Sequence, residues 1–278
     1  MQTEIVKTRE YLKRLGRGEV QLPSDLVQEY TKRVSERLGK ERKQDFSLRM
    51  SNLGRPLCQL QRQKEGAPAS PINEYQRQYT FMVGDISELW LMVIMKAAGV
   101  PVEAFDVQVQ LNVYGQKILG TVDIIINGKI WDIKTASSGS FKKHTSDFGG
   151  FMSFVDDDPF GYIEQGVLYS RAMNKPFGGW IFINKNTGEI DVCEVPLSFS
   201  KYEQEAIDRA TLTVQSIIEG VPFKKCFTDE EETFKKKPTG NRVLGKTCGY
   251  CDYVGVCWPE AEYRPSVVSE AMVKPMVW

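Results

Sequence analysis

Apolar residues recur at near-helical spacing through 4–43, with charges filling the positions between, and Ser24 stands ahead of Leu26, Tyr30 and Val34 as an N-cap. This pattern predicts a helical N-terminal arm. A further helix is predicted over 51–65, carrying the isolated Cys58, and the run Gly66-Ala-Pro-Ala-Ser-Pro71 marks a loop behind it. A longer helix over 79–98 ends at Gly99 and Pro101. From Phe105 the period changes to two, with Val107, Val109, Leu111 and Val113 on one face, and strand signals continue through 118–135. The stretch 137–159, rich in glycine, serine and aspartate, predicts a long mobile loop. A helix over 159–172, a strand over 179–184, a turn at 186–188, a strand over 189–195 and a helix over 200–219 complete an α/β pattern. The C-terminal part is basic and cysteine-rich. No internal repeat or low-complexity tract interrupts the chain.

The passage from Gly120 to Thr135 holds the densest chemistry. Asn127-Gly128 between two β-branched runs is a strong hairpin signal and sets a register: Ile126 opposite Lys129, Ile125 opposite Ile130, Ile124 opposite Trp131, and Asp123 opposite Asp132. Opposed side chains share a face, with Cβ atoms about 4.5–5.5 Å apart. Two carboxylates held so close lose hydration and repel each other, and a divalent cation is a natural compensation. Lys134, two residues beyond Asp132, falls on the same face by strand alternation. Val122, Ile124, Ile126, Trp131 and Ile133 form the opposite, apolar face. The competing reading is a surface hairpin in which Lys134 neutralises Asp132 and water covers Asp123. Isoleucines on both faces argue instead for a central strand.

With 278 residues, 41% hydrophobic and 26% charged, the chain has material for one main α/β domain with helical additions. The longest apolar stretch, 89–100, contains Lys96 and is too short to cross a bilayer, so the expectation is a soluble protein of the cytoplasm with no membrane partner. Lys and Arg number 36, as do Asp and Glu, so bulk charge gives no support for nucleic-acid binding and local sites must supply it. His144 is the only histidine, which disfavours a serine–histidine or cysteine–histidine hydrolase and reads as a surface residue.

These residues resemble the PD-(D/E)XK nuclease superfamily, in particular its RecB-type group, which includes the CRISPR-associated iron-sulfur exonucleases and many phage exonucleases. The resemblance covers 51–259. The acidic residue before a hairpin and the (D/E)-x-K triplet correspond to Asp123 and Asp132-Ile133-Lys134, with Val122 where the family name has proline. Upstream, Gly84-Asp-Ile-Ser-Glu88 occupies the place of the family's Gly-x-x-x-His motif, with glutamate for histidine; a carboxylate suits hard cations. Downstream, Gln165 and Tyr169 match the Gln-x-x-x-Tyr motif, and their i, i+4 spacing puts both on one helical face. The resemblance implies a restriction-endonuclease-like core, a mixed central β-sheet flanked by helices, with a helical arm over 1–50, the nuclease domain over 51–260 and a tail over 261–278. It also implies Mg2+ or Mn2+ held by Glu88, Asp123, Asp132 and the main-chain carbonyl of Ile133. Lys134, Gln165 and Tyr169 would complete the catalytic set. The activity implied is metal-dependent exonucleolytic hydrolysis of single-stranded DNA or double-stranded ends, in recombination, repair or degradation, alone, as a homo-oligomer or with a recombination partner protein, and in the host cytoplasm if the gene is a phage's. A structure-specific endonuclease and a non-catalytic DNA-binding subunit are the alternatives.

Six cysteines in a chain with no export signal read as metal or cluster ligands rather than disulfides. Cys248, Cys251 and Cys257 give C-x2-C-x5-C, and with Cys58 they resemble the cluster-binding pattern of the same exonucleases. Four thiolates suit a [4Fe-4S] cluster and would also suit a tetrahedral structural Zn2+, whose common form is two close C-x2-C pairs; one lone upstream cysteine plus a C-terminal trio fits the cluster better. Such a centre would pin the C-terminal segment to the Cys58 helix. Cys193 reads as a core residue, and Cys226 has no partner in the pattern. Lys142, Lys143, Lys224, Lys225, Lys235, Lys236, Lys237, Arg242 and Lys246 are available for backbone phosphates, and Phe148, Phe151 and Phe154 for base stacking.

Overall fold

The β-branched alternation of 102–136 folds into three consecutive antiparallel strands, β1 (Val102–Val113), β2 (Gln116–Ile126) and β3 (Lys129–Ala136). In this computed structural model, which describes residues 1–39, 45–69, 74–145, 149–267 and 269–277, both connecting turns use positive φ at two successive residues. They are Tyr114-Gly115 (48° and 72°) and Asn127-Gly128 (52° and 71°), the geometry that matches the strand twist. Ile126 pairs with Lys129, Ile125 with Ile130 and Ile124 with Trp131, as the Asn-Gly turn predicts.

From β3 the chain crosses over through three helices to β4 (Phe177–Asn184), which runs parallel to β3, and returns antiparallel in β5 (Ile190–Glu194). The result is a mixed five-stranded sheet in the order β1-β2-β3-β4-β5, flanked by helices. Every residue of β4 is buried, as expected of a strand covered on both faces.

The helices in chain order are α1 (Gln2–Gly16), α2 (Ser24–Gly39), α3 (Leu57–Lys64), α4 (Glu74–Ala97), α5 (Ser138–Thr145), α6 (Met152–Asp156), α7 (Tyr162–Met173) and α8 (Ser200–Glu219). Leu91 and Met95 of α4 and Ile5 of α1 pack with Ile124, Ile126, Trp131, Ile133, Ile181 and Ile183 on one face of the sheet. Ile5 has no exposed surface, and Arg9 Nε donates to the Ile190 carbonyl at 2.9 Å, so the start of the N-terminal arm is built into this core.

The other face is aromatic. Trp180 and Phe182, alternating with Ile181 and Ile183, stack against Phe154 at ring-centroid distances of 4.3 and 6.2 Å. The stretch 137–159 is thus not the long loop its composition suggests. It forms α5 and α6, with Phe151 and Phe154 drawn into this layer and Phe141 buried, while 146–148 lie outside the described residues. His144 stacks on Phe154 at 4.2 Å and its Nδ1 lies 2.6 Å from Ser153 Oγ, so it is a packed residue rather than a surface one.

The chain divides into two compact units, Met1–Gln44 with Leu48–Gly54 and Asn73–Thr211, and Asp45–Ser47 with Arg55–Ile72 and Leu212–Trp278. The second contains a four-stranded antiparallel sheet ordered β6 (Asp229–Phe234), β7 (Lys237–Leu244), β9 (Ser269–Val277), β8 (Glu262–Ser266), and two short helices, α9 (Lys246–Gly249) and α10 (Val254–Cys257). Residues 261–278, expected as a tail, therefore supply two strands. One apolar cluster of this unit is formed by Leu244, Val254 and Val277, with Cys248, Trp258, Ala261 and Tyr263 against them.

Helix α7 approaches the sheet through Gly166. A Cβ there would lie 2.5 Å from the Phe177 ring, which is held against Trp180 and Phe199. In an exposed helix, glycine to alanine stabilises by about 1 kcal/mol. Here overpacking dominates, and Gly166→Ala is expected to destabilise the protein by about 1–3 kcal/mol in urea denaturation.

Candidate functional site

Asp123, Asp132 and Lys134 converge where β2 and β3 part. The ladder between β2 and β3 ends at Ile124 and Trp131, and beyond it the Asp123 side chain takes over: its Oδ2 accepts the Ile133 amide at 2.7 Å. Asp132 is buried, with 1% exposure, and its Oδ2 lies 2.6 Å from Lys134 Nζ. That contact is an ion pair without hydrogen-bond geometry, leaving Oδ2 otherwise unpartnered. Lys134 Nζ also sits 5.0 Å from the centroid of the Tyr162 ring.

Glu88 comes from α4. Gly84, one turn earlier, faces β3, where a Cβ would meet Thr135 Oγ1 at 3.7 Å, and Leu91 and Met95 continue the same stripe into the core. Glu88 is thus carried at the end of a buried face rather than on a solvated one, with its side chain 23% exposed. Arg37 of α2, which no sequence motif singled out, bridges Glu88 (3.5 Å), Asp85 (3.3 Å) and Asp106 (3.0 Å).

Gln165 and Tyr169 lie on the helical face that their spacing predicts. Gln165 Nε2 donates both to Asp132 Oδ1 at 3.2 Å and to Tyr169 Oη at 2.9 Å. Tyr169 fits against Gly120, where a Cβ would come within 2.7 Å of its Cε1. Burial, then the charges of Asp132 and Asp123, keeps its hydroxyl protonated far above the usual range.

The electrostatics are those of an acid excess. Burial, reinforced by Asp132 and Glu88 and opposed by Lys134 and the Ile133 amide, holds Asp123 well above the ordinary carboxylate range. Burial also pushes Glu88 up to about 7, against the pull of Lys134 and Arg37. Burial alone would lower Lys134, but Asp132 and Asp123 outweigh it and raise the ammonium above its ordinary value. Among the described residues no three His, Cys, Asp or Glu side chains close into a ready metal cage. The donor types nevertheless suit a hard divalent cation: burial and neighbouring acids hold the protons of Asp123 and Glu88 above the ordinary carboxylate range, and an ion would displace them.

In the second unit Cys58, Cys226, Cys248, Cys251 and Cys257 line one pocket. The pattern-matched four and Cys226 all line it, though among the described residues no three of them stand close enough to form a metal-holding group. The Cys226 Sγ accepts the Cys58 amide at 3.2 Å and the Leu57 amide in the first turn of α3, and the Cys58 thiol donates to it. The bond from Cys58 holds Cys226 down at about 6 against burial, and the same bond with burial pushes Cys58 up. Burial, with neighbouring cysteines adding to it, pushes Cys248 and Cys251 up to about 11. Cys226 could not be found by spacing, since its proximity comes from the fold and not from a local motif. Cys193, 3% exposed in β5, is a core residue as expected.

The residues proposed for DNA contact fare unevenly. Phe151 and Phe154 are buried (8% and 2%) and unavailable for stacking, because Trp180 and Phe182 recruit that segment; Phe148 lies outside the described residues. Lys143 pairs with Asp157 at 3.2 Å, Arg242 with Asp229, and Lys225 Nζ stands 3.6 Å over the Trp258 ring.

No family description and no curated protein matches the chain. Among solved structures, similarity extends to a protein named SSO0001, at 17% identity over 86% of this chain and 97% of that one, with a TM-score of 0.44. It extends also to a protein described as "putative exonuclease" from Eubacterium rectale, at 16% identity over 69% and 74%, with a TM-score of 0.36. At these values the reading of the site rests on its own geometry. Among the described residues no helix is long and apolar enough to cross a membrane.

The raised Glu88 carboxyl has a sign-definite consequence for the metal-free protein. Below pH 4.5, its ordinary value, folded and unfolded chains both hold the proton and Glu88 imposes no penalty. Between 4.5 and about 7 only the folded chain holds it, so stability falls as pH rises. Melting in chelator is expected to show a loss on the order of 2–3 kcal/mol across that window that Glu88→Gln removes. An identical pH profile in the variant would mean that Glu88 is ordinary.

Proposed function

We propose that the chain is a metal-dependent deoxyribonuclease that hydrolyses phosphodiester bonds, acting as an exonuclease on DNA ends in recombination, repair or degradation. The observation that carries this reading is the Asp132 carboxylate, buried between Lys134 and Gln165 and electrostatically joined to Asp123 and Glu88. Three carboxylates around one lysine are a poor structural device, since a buried charge excess costs stability that apolar residues would not. They are a good device for hydrolysing a phosphodiester.

Glu88, Asp123, Asp132 and the Ile133 carbonyl would hold Mg2+ or Mn2+, which when bound polarises a phosphate and lowers the pKa of water. The chain's own residues do the rest. Asp132 holds Lys134 protonated and in place, so that its ammonium faces the developing negative charge and orients the attacking water. Gln165 fixes the rotamer of Asp132 by donating to Oδ1, and Tyr169 fixes Gln165. Arg37 restrains Glu88 from the other side.

The test is incubation of the protein with end-labelled linear and with circular DNA in Mn2+, Mg2+ or chelator, beside Lys134→Ala with its fold checked by circular dichroism. Metal-dependent loss of linear DNA alone is expected, reduced about 10²–10³-fold in the variant. Cutting of circles would replace the exonuclease by a structure-specific endonuclease, and inactivity under every metal would make the chain a non-catalytic DNA-binding subunit.

The thiol pocket is proposed to hold a [4Fe-4S] cluster through Cys58, Cys248, Cys251 and Cys257, with a structural Zn2+ as the alternative. What supports it is that Cys58 and, far from it in sequence, Cys248, Cys251 and Cys257 line one pocket. Cys248→Ser is expected to lose the bound metal and expose 212–278 to proteolysis, while leaving the first unit's amides protected in hydrogen exchange. Metal analysis of the anaerobically purified protein decides between iron and zinc.

A further inference from the structure

The pocket contains one thiol more than a four-thiolate centre uses. Cys226 is the most exposed of the five, and it is also the one in direct contact with a ligand of the proposed centre, through the Cys58 amide at 3.2 Å and the Cys58 thiol. The Cys58 amide at the start of α3 points at its sulfur, and its exposure makes Cys226 the thiol of the pair that an incoming disulfide reaches first. Cys248, Cys251 and Cys257 lie in the same pocket but are less exposed and belong to one short segment.

We infer that Cys226 and Cys58 form a reversible dithiol–disulfide pair, closed by a low-molecular-weight disulfide such as oxidised glutathione when the pocket lacks its metal. The Cys226 thiolate attacks one sulfur of the oxidant and expels one glutathione thiolate, giving a mixed disulfide. The Cys58 thiolate then attacks the Cys226 sulfur, forms the internal bond and expels the second glutathione. The protein loses two electrons, the oxidant gains them, and two protons leave with the glutathione thiols. Closure removes Cys58 from the set of available ligands, so this pair sets whether the pocket can reload. The inference takes the thiol pocket as a metal site but makes no use of nuclease activity, so it stands or fails apart from that reading.

The experiment uses the full chain, purified anaerobically, stripped with chelator and exposed to oxidised glutathione, with free thiols counted, linkages mapped by mass spectrometry, and uptake of Zn2+ alone measured. Wild-type thiols are expected to fall from six to four, as one disulfide consumes two, with a Cys58–Cys226 linkage and Zn2+ affinity weakened several-fold until a reductant is added. Cys226→Ser is expected to keep its remaining thiols and to take up Zn2+ equally well before and after the oxidant, and Cys226→Ala to behave the same way. A linkage between other cysteines, unchanged wild-type thiols, or equal thiol loss in the Cys226 variants would overturn the inference.

Discussion

Much of the first unit depends on the crowding of Asp123, Asp132 and Glu88 around Lys134. Carboxylates resist burial, and two of these respond by holding protons above their ordinary range. The arrangement persists because the surroundings over-determine it. The Ile133 amide fixes Asp123, Gln165 fixes Asp132, and Arg37 ties Glu88 to Asp85 and Asp106. Each of these partners comes from a different element, so the sheet, α2, α4 and α7 must all be in place before the charges are compensated.

The apolar side of the same strands makes that possible. Ile124, Ile126, Trp131 and Ile133 project away from the acids into the layer under α1 and α4, while Trp180 and Phe182 build the layer on the acid side. Small residues set the distances: Gly166 lets α7 lie on Phe177, and Gly120 leaves room for Tyr169. The site is thus held by rigid elements rather than by loops, which suits chemistry that needs a lysine and a carboxylate fixed to within a fraction of an ångström.

The sheet of the first unit was legible because its signals are local. Alternation, Asn127-Gly128 and the i, i+4 pair of Gln165 and Tyr169 each specify geometry within a few residues. What escaped was set by tertiary context. The β6–β7 hairpin turns through Lys235-Lys236, both at positive φ (50° and 63°), where turn rules look for asparagine or glycine, so a strand pair read as a charge run. The 137–159 stretch has the composition of a loop and becomes helical only because its aromatics have a partner layer. Arg37 and Cys226 carry no motif and reach their sites through the fold alone.

The central claim is that the acid cluster binds a divalent cation through Asp132. Calorimetric titration of the protein with Mn2+ at pH 8, beside Asp132→Asn, tests it without reference to any nucleic acid. The account predicts saturable binding by the wild type, weakened by at least about tenfold in the variant. Equal binding in the two proteins, or heat no greater than dilution in both, would contradict it.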